Sequence, residues 1–288
     1  MSTSASPWSE IAPSVRVRQS AAYRMNSVVI TCEGGTLLVD PGVYPSELDD
    51  IAAAVEGESE VVLFLTHSHW DHILGRLVWP GARVIAHRRF HEELERKLDH
   101  VHGRLRALSD EFYLRWPGEV LPWKPDERVG EEHEWGWRGR RFLARHAPGH
   151  APDQTMLVLP GDRMVIAADM LSDLEIPILD GTCGEYLETL GRIEAMGHHG
   201  EIETLVPGHG AVAHGWAEIA TRVARDRAYL EELHRRVVAA RSRRRPVQEL
   251  IEECSTMDYL GKDGWPPMRA IHVRNVERAY PALVGGVA

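Results

Sequence analysis

Histidine and aspartate crowd into one short stretch of this chain. The apolar run Val61-Val62-Leu63-Phe64-Leu65 is followed at once by Thr66-His67-Ser68-His69-Trp70-Asp71-His72. Residues two apart in an extended loop point the same way, so His67 and His69 can grip one ion. A helix beginning near Asp71 would turn Asp71 and His72 toward a neighbouring position. Neutral imidazole and carboxylate are the donors that a borderline-soft cation such as zinc accepts, at about 2.0–2.2 Å. A lone loop histidine is usually no more than a hydrogen-bonded side chain. Four titratable groups in a row behind a buried strand are different, because desolvating them without a compensating ion is costly.

Three distant segments offer further donors: His150 in Pro148-Gly149-His150, Asp169 after Ala168, and His209 in Pro207-Gly208-His209-Gly210. Each follows or sits at the end of an expected strand, where layered α/β folds collect their binding sites. Taken singly, each reads equally well as a turn. Four such segments in order read as parts of one site.

The elements that must position these groups follow from hydrophobic pattern and turn residues. Val28–Thr31 and Thr36–Val39 read as a hairpin around Glu33-Gly34-Gly35, with Asp40-Pro41-Gly42 ending the second strand. Pro45 to Val55 reads as a helix. The continuous apolar run from Val61 reads as a strand buried on both faces. Arg83–Ala86 reads as a strand, followed by a charged helix from Arg88 to Leu98. Residues 100–125 read as an insertion with aromatic content and no assigned structure. A second series follows: strands at Arg141–Ala144, Thr155–Leu159, Met164–Ala167 and Thr204–Val206, with a helix at Gly184–Met196. Long and short helices are expected at Gly215–Arg245, Val247–Cys254 and Met268–Tyr280. The result is an α/β layered architecture with sheet inside and helices outside. Its expected parts are a loose tail over 1–13, a catalytic domain over 14–214 and a helical extension over 215–288.

Bulk properties narrow the function. The 288 residues suffice for a real hydrophobic core. The net charge of -10 and a lysine complement of only Lys97, Lys124 and Lys262 speak against nucleic acid as partner. Cys32, Cys183 and Cys254 are few and widely separated, so neither a disulfide framework nor a cysteine zinc knuckle is indicated. No stretch approaches the ~18 apolar residues needed to cross a bilayer, and the N-terminus lacks a signal-like apolar core. The expectation is a cytoplasmic protein acting on a small molecule. The long helix after Gly215 could dock on its own domain or form a homodimer.

The motifs together resemble the metallo-β-lactamase superfamily. Asp40 matches its strand-closing aspartate, His67, His69, Asp71 and His72 its HxHxDH motif, and His150, Asp169 and His209 its later motifs. The resemblance spans roughly residues 25–212. It implies a four-layer αββα sandwich, with the C-terminal helices as an extension. It implies two zinc ions per chain, with iron or manganese as alternatives. His67, His69 and His150 would hold the first and Asp71, His72 and His209 the second. Asp169 would bridge them, and Asp40 would orient the HxHxDH loop from behind. Two cations ~3.5–4 Å apart share a water and ionise it, so the implied nucleophile is a metal-bridging hydroxide, with Asp71 and Asp169 as catalytic carboxylates.

The reaction implied is hydrolysis of a carboxylic ester, thioester or lactone. The bridging aspartate and complete HxHxDH disfavour true β-lactamases. His69 stands where the diiron flavoproteins have glutamate. Ser172 stands where the lactonase branch tends to have tyrosine. The rivals are a mononuclear iron enzyme like the persulfide dioxygenases and a phosphodiesterase of the same fold. Trp70, Ser172, Tyr186 and Trp116 are candidate substrate contacts, and Asp153 could rim the pocket or cap a turn, the cap being favoured.

Overall fold

The computed structural model describes residues 7–257 and 267–282. Seven strands form the first sheet in chain order: β1 (Trp8–Ala12), β2 (Val15–Gln19), β3 (Asn26–Cys32), β4 (Gly35–Val39), β5 (Val61–Phe64), β6 (Arg83–His87) and β7 (Glu127–Val129). α1 (Pro45–Ala54) and α2 (Phe90–Phe112) are its helical crossovers, since β4, β5, β6 and β7 run parallel. The second sheet has the order β13-β12-β11-β10-β9-β8. Its strands are β8 (Glu132–Trp137), β9 (Arg140–His146), β10 (Thr155–Leu159), β11 (Met164–Ile166), β12 (Thr204–Val206) and β13 (Ala213–His214). The helices α3 (Cys183–His198), α4 (Trp216–Ser242), α5 (Val247–Cys254) and α6 (Pro267–Ala282) belong to this half.

The two-residue period of a strand explains the layering. Val28, Ile30, Leu37, Val39 and Phe64 point inward and meet Phe142, Leu157, Ile166 and Val206 of the opposing sheet. The alternate residues Val29, Leu38 and Leu63 point outward onto Leu48 and Ile51 of α1 and Leu94 and Val101 of α2. Met156, Val158, Val165 and Leu205 do the same toward α3 and α4. Both faces of each central strand are covered, so their sequences read as unbroken apolar runs. Helix, sheet, sheet and helix make the four-layer α/β sandwich, with a helical C-terminal part.

Several expectations need correction. Residues 8–12, within the expected loose tail, form β1, paired with β2 in the register Trp8 to Arg18. Ser and Pro in that stretch obscure a strand whose partner lies only a few residues on. The helix expected to stop at Leu98 runs to Phe112, so half of the supposed insertion is α2. Leu94, Val101, Leu105 and Leu108 carry its buried stripe onward, at the three- and four-residue spacing of a helix face. The edge strands β7 and β8 were not anticipated, because their charged, largely exposed residues lack an apolar signal. No helix begins at Asp71; the first helical turn there is a 3-10 turn at Leu74–Leu77. The long helix α4 docks on its own domain: Ile219, Val223, Leu230 and Leu233 join the core shared with α3.

The strand ends that carry the candidate residues lie together. Thr155 N–H donates to Thr66 O at 2.8 Å, Ala167 N–H to Val206 O at 2.8 Å, and Asn26 N–H to Gly208 O at 2.7 Å. These bonds tie loops from both sheets into one rim.

Candidate metal centre

Three of the inward-facing imidazoles, those of His67, His72 and His209, are oriented by a partner behind them. His72 Nδ1–H donates to Asp40 Oδ2 at 2.8 Å. Thr66 Oγ1–H donates to the same oxygen at 2.6 Å, so Thr66 Oγ1 is left to accept from His67 Nδ1–H at 3.0 Å. Thr66 N–H completes the set, donating to Asp40 Oδ1 at 2.8 Å. His209 Nδ1–H donates to Tyr23 O at 3.0 Å. A proton placed on Nδ1 leaves the Nε2 lone pair free. In their neutral forms His67, His72 and His209 therefore turn a free Nε2 toward the cavity. Asp40 thus stands behind the HxHxDH loop and is bonded to its Thr66 and His72.

Two donor groups result. His67, His69, His150 and Asp169 form one, and Asp71, His72 and His209 the other; within each group the donor atoms lie within 4.8 Å of one another. His150 Nε2 lies 3.0 Å from His69 Nδ1. Asp169 Oδ2 lies 3.3 Å from His150 Nε2 and 3.7 Å from His67 Nε2. Its Oδ1 lies 3.2 Å from His72 Nε2, and its Oδ2 is 3.6 Å from His209 Nε2. Asp71 Oδ2 is 3.5 Å from His209 Nε2. Ligands ~2.0–2.1 Å from a tetrahedral ion are about 3.3 Å apart, so these separations fit ions between the groups. His67 Nε2, His72 Nε2 and Asp169 Oδ1 are buried and hydrogen-bond to nothing in the protein. Such orphaned polar atoms are expensive unless a cation meets them. The residues fit a pair of metal ions, with Asp169 touching both groups.

The charges agree. Burial and the neighbouring His72 and His69 drive His67 well below its ordinary pKa. Burial brings His69 to about 3 and His150 to about 4, although Asp180 and Asp169 respectively oppose it. All three are neutral, as ligands must be. Burial also opposes a proton on His209, but Asp169 and Glu175 outweigh it and raise the group to about 10. For His72 the carboxylates of Asp169, Asp71 and Asp40 likewise outweigh burial and hold it well above its usual range. In the metal-free protein these two rings carry the positive charge that a cation would supply.

Two glycines are sterically required. A Cβ on Gly208 would sit 2.0 Å from Asp169 Oδ1. Gly149, at φ +122, would place a Cβ 2.5 Å from Tyr186 Cα. The Pro-Gly-His turns around His150 and His209 therefore owe their glycines to close approach as well as to turning.

The metal groups open into a pocket of about 480 Å³. Its walls come from α2 (Lys97, Val101, Arg104), from α6 (Ile271, Arg274, Arg278) and from Tyr23 and Trp70. Three expected substrate contacts lie elsewhere, and Trp70 alone of the four lines the pocket. Tyr186 is 1% exposed, packed beneath the site, with its hydroxyl donating to Asp169 O at 3.3 Å. Ser172 Oγ accepts from the backbone N–H of Leu174 and Glu175, fastening a turn. Trp116 packs in the α2 core and donates to Ser109 Oγ at 3.0 Å. Asp153 caps nothing: it is 0% exposed and neither carboxylate oxygen has a hydrogen-bond partner. Burial pushes its carboxyl up to about 6, with Lys97 pulling the other way.

Several neighbours carried no sequence signal. Gln154 Nε2 donates to Ala147 O at 3.0 Å while its Oε1 accepts from Asp169 N–H at 3.3 Å. Asn26 Nδ2 donates to Pro207 O and Gly210 O, both at 2.9 Å, pinning the His209 loop. Asp180 faces His69 Nε2 at 3.9 Å and Lys97 Nζ at 3.1 Å. Each is an ordinary polar residue in sequence and acquires meaning only from its place.

A two-sheet α/β sandwich with a histidine-aspartate cluster at its rim defines a class, and the family model agrees. Residues 23–226 match the metallo-beta-lactamase superfamily, and the chain belongs to it. No curated protein matches the sequence. Among solved structures, the sec-alkylsulfatase Pisa1 from Pseudomonas sp. is similar over 97% of this chain and 50% of its own, with a TM-score of 0.71 and 15% identity. This chain thus spans half the length of that enzyme. A beta-lactamase domain protein from Burkholderia ambifaria is similar over 99% and 90% of the two chains, with a TM-score of 0.69 and 18% identity. The metallo-beta-lactamase from Pontibacter korlensis covers 75% of this chain and 98% of its own, with a TM-score of 0.53 and 16% identity. At these identities the likeness is one of fold. Among the described residues, no helix is long and apolar enough to cross a membrane.

Proposed function

We propose that this protein is a dinuclear metal-dependent hydrolase that cleaves a carboxylic ester, thioester or lactone. The observation that carries the reading is the pair of donor groups sharing Asp169 at the floor of one pocket. His67, His69 and His150 would hold one ion, Asp71, His72 and His209 the other, with Asp169 between them. When bound, the two cations, in the first instance zinc, supply Lewis acidity and a water ionised near neutral pH.

The chain's own residues do the rest. Asp40, through His72 and through Thr66 to His67, holds three groups in one geometry before substrate arrives, so little reorganisation is needed during reaction. Asp71 presents a carboxylate beside His209, where it can accept a hydrogen bond from the attacking water. Trp70 and Val101 give the pocket apolar wall and Tyr23 a hydroxyl, and the volume suits a small-molecule substrate. No serine or cysteine nucleophile is required.

The test is elemental analysis with a substrate panel of esters, thioesters, lactones, a phosphodiester and, in view of the alkylsulfatase likeness, a secondary alkyl sulfate. Two zincs per chain and cleavage of a carboxylic ester, thioester or lactone are expected. A single iron per chain with oxygen uptake, or cleavage of only the phosphodiester or the sulfate, would overturn the proposal.

A further inference from the structure

The pocket wall carries five cationic side chains besides histidine: Arg96, Lys97 and Arg104 on α2, and Arg274 and Arg278 on α6. That is an unusual concentration in a chain of net charge -10. Three of them are committed. Lys97 and Arg96 approach Asp180 at 3.1 and 3.6 Å, Arg278 also pairs with Asp180, and Arg96 reaches Glu93 at 2.6 Å. Arg104 and Arg274 line the same space and form no ion pair with any described residue.

Arg104 is nevertheless held in place. Its Nη2 donates to the Tyr23 hydroxyl at 2.8 Å, and its guanidinium lies 5.2 Å from the centre of the Trp70 ring. Tyr23 is the residue whose carbonyl orients His209, so Arg104 stands at the Asp71–His209 side of the centre. Arg274 lies on α6 three residues after Ile271 and four before Arg278, on the one helix face that lines the pocket. The carboxylates of Asp71 and Asp169 are not available as counter-charges, since two divalent cations would more than neutralise them.

We infer that Arg104 and Arg274 form an anion-binding arm, and that the substrate carries an oxyanionic group, carboxylate, sulfate or phosphate, separate from the bond that is cleaved. This rests on the hydrolase reading above. A planar guanidinium held by stacking and a hydrogen bond keeps free N–H groups for an oxyanion, and loses little freedom on binding it. An exposed guanidinium on the facing helix adds long-range attraction, which draws an anion into the pocket of an otherwise acidic protein.

The test uses the zinc-loaded full-length protein and two matched esters: the p-nitrophenyl monoester of glutaric acid and p-nitrophenyl pentanoate. The charged ester is expected to be favoured about 10-fold or more in kcat/KM, the scale of one charge-assisted hydrogen bond. R274Q and R104Q should each cut that ratio by about 10-fold, chiefly through KM, with R274K restoring most of it. Equal use of the two esters by the wild-type protein, or an unchanged ratio in R274Q, overturns the arm. If neither ester is cleaved, the hydrolase reading is decided by its own substrate panel, and calorimetry with pentanoate, pentanesulfonate, pentyl phosphate and neutral pentanamide tests the arm alone. Tighter binding of an anion than of the amide, lost in R274Q, supports it and identifies the preferred oxyanion; no difference rules it out.

Discussion

Asp40 touches no substrate and would touch no metal, yet Asp40→Asn should release one ion selectively. The carboxylate is 3% exposed and accepts three hydrogen bonds, at 2.8 Å from Thr66 N, 2.6 Å from Thr66 Oγ1 and 2.8 Å from His72 Nδ1. Its backbone sits at φ +46, which asparagine tolerates as aspartate does, so the exchange adds little strain. The amide keeps one acceptor oxygen for Thr66 N–H and puts a donor where Oδ2 accepted two protons. Thr66 Oγ1 can rotate to accept instead. The neutral His72 that binds metal must then keep its one proton on Nε2, the atom that faces Asp169 Oδ1 at 3.2 Å, rather than on Nδ1. An ion between them would then have to expel that proton. Losing such a partner behind a ligand costs about 10–100-fold in metal affinity, or about 1.4–2.7 kcal/mol. The loss should fall on the ion of Asp71, His72 and His209, with a smaller effect at the other, reached only through Thr66 and His67. Competition against a chromophoric chelator measures both steps, and elemental analysis after dialysis should find about one ion per chain rather than two. A weaker step within threefold of wild type would refute the reasoning.

Gly208→Ala drives a Cβ to 2.0 Å from Asp169 Oδ1; displacing that carboxylate should abolish two-ion binding and lower kcat/KM by about 100-fold or more, and a variant retaining both ions would contradict the geometry. Asp153 has its carboxyl raised from 3.8 to about 6 chiefly by burial, so its stabilising effect is complete below pH 3.8 and is lost as pH rises through about 6. Asp153→Asn removes that loss and should gain up to about 3 kcal/mol relative to wild type between pH 4 and 7; urea unfolding at both pH values checks it, and a pH-independent difference would exclude the assignment. Chelator-stripped protein holds a proton on His209 up to about pH 10, since Asp169 and Glu175 outweigh burial. Zinc must displace that proton, so apparent affinity should climb about tenfold per pH unit from 6.5 to 8, as read by chelator competition; a flat profile would be the contrary result.

The donors could be read from the sequence because each lies at the end of an apolar strand and carries a residue type with few other uses there. The period of two that sends Val28 inward and Val29 outward is likewise local, so the layered α/β architecture was legible before any coordinate. Reading failed where the signal is not local. β8 is an edge strand of Glu132, His133, Glu134 and Trp135 that owes its existence to pairing with β9. β1 depends on β2 in the same way. Tyr186 and Ser172 stand near the motifs in sequence, but the turn at Ser172 and the packing of α3 against Asp169 carry them away from the pocket.

Which groups could bind metal was therefore determined by the sequence itself: residue chemistry and strand ends suffice. Tertiary structure alone decided what stands behind and in front of them. Gln154, Asn26 and Asp180 support the centre, and Arg104 and Arg274 face it from helices whose residues lie far from one another in the chain. The physical reason is that hydrogen bonds and charges act across space within a few ångströms, and no spacing along a chain reports which helix faces which loop.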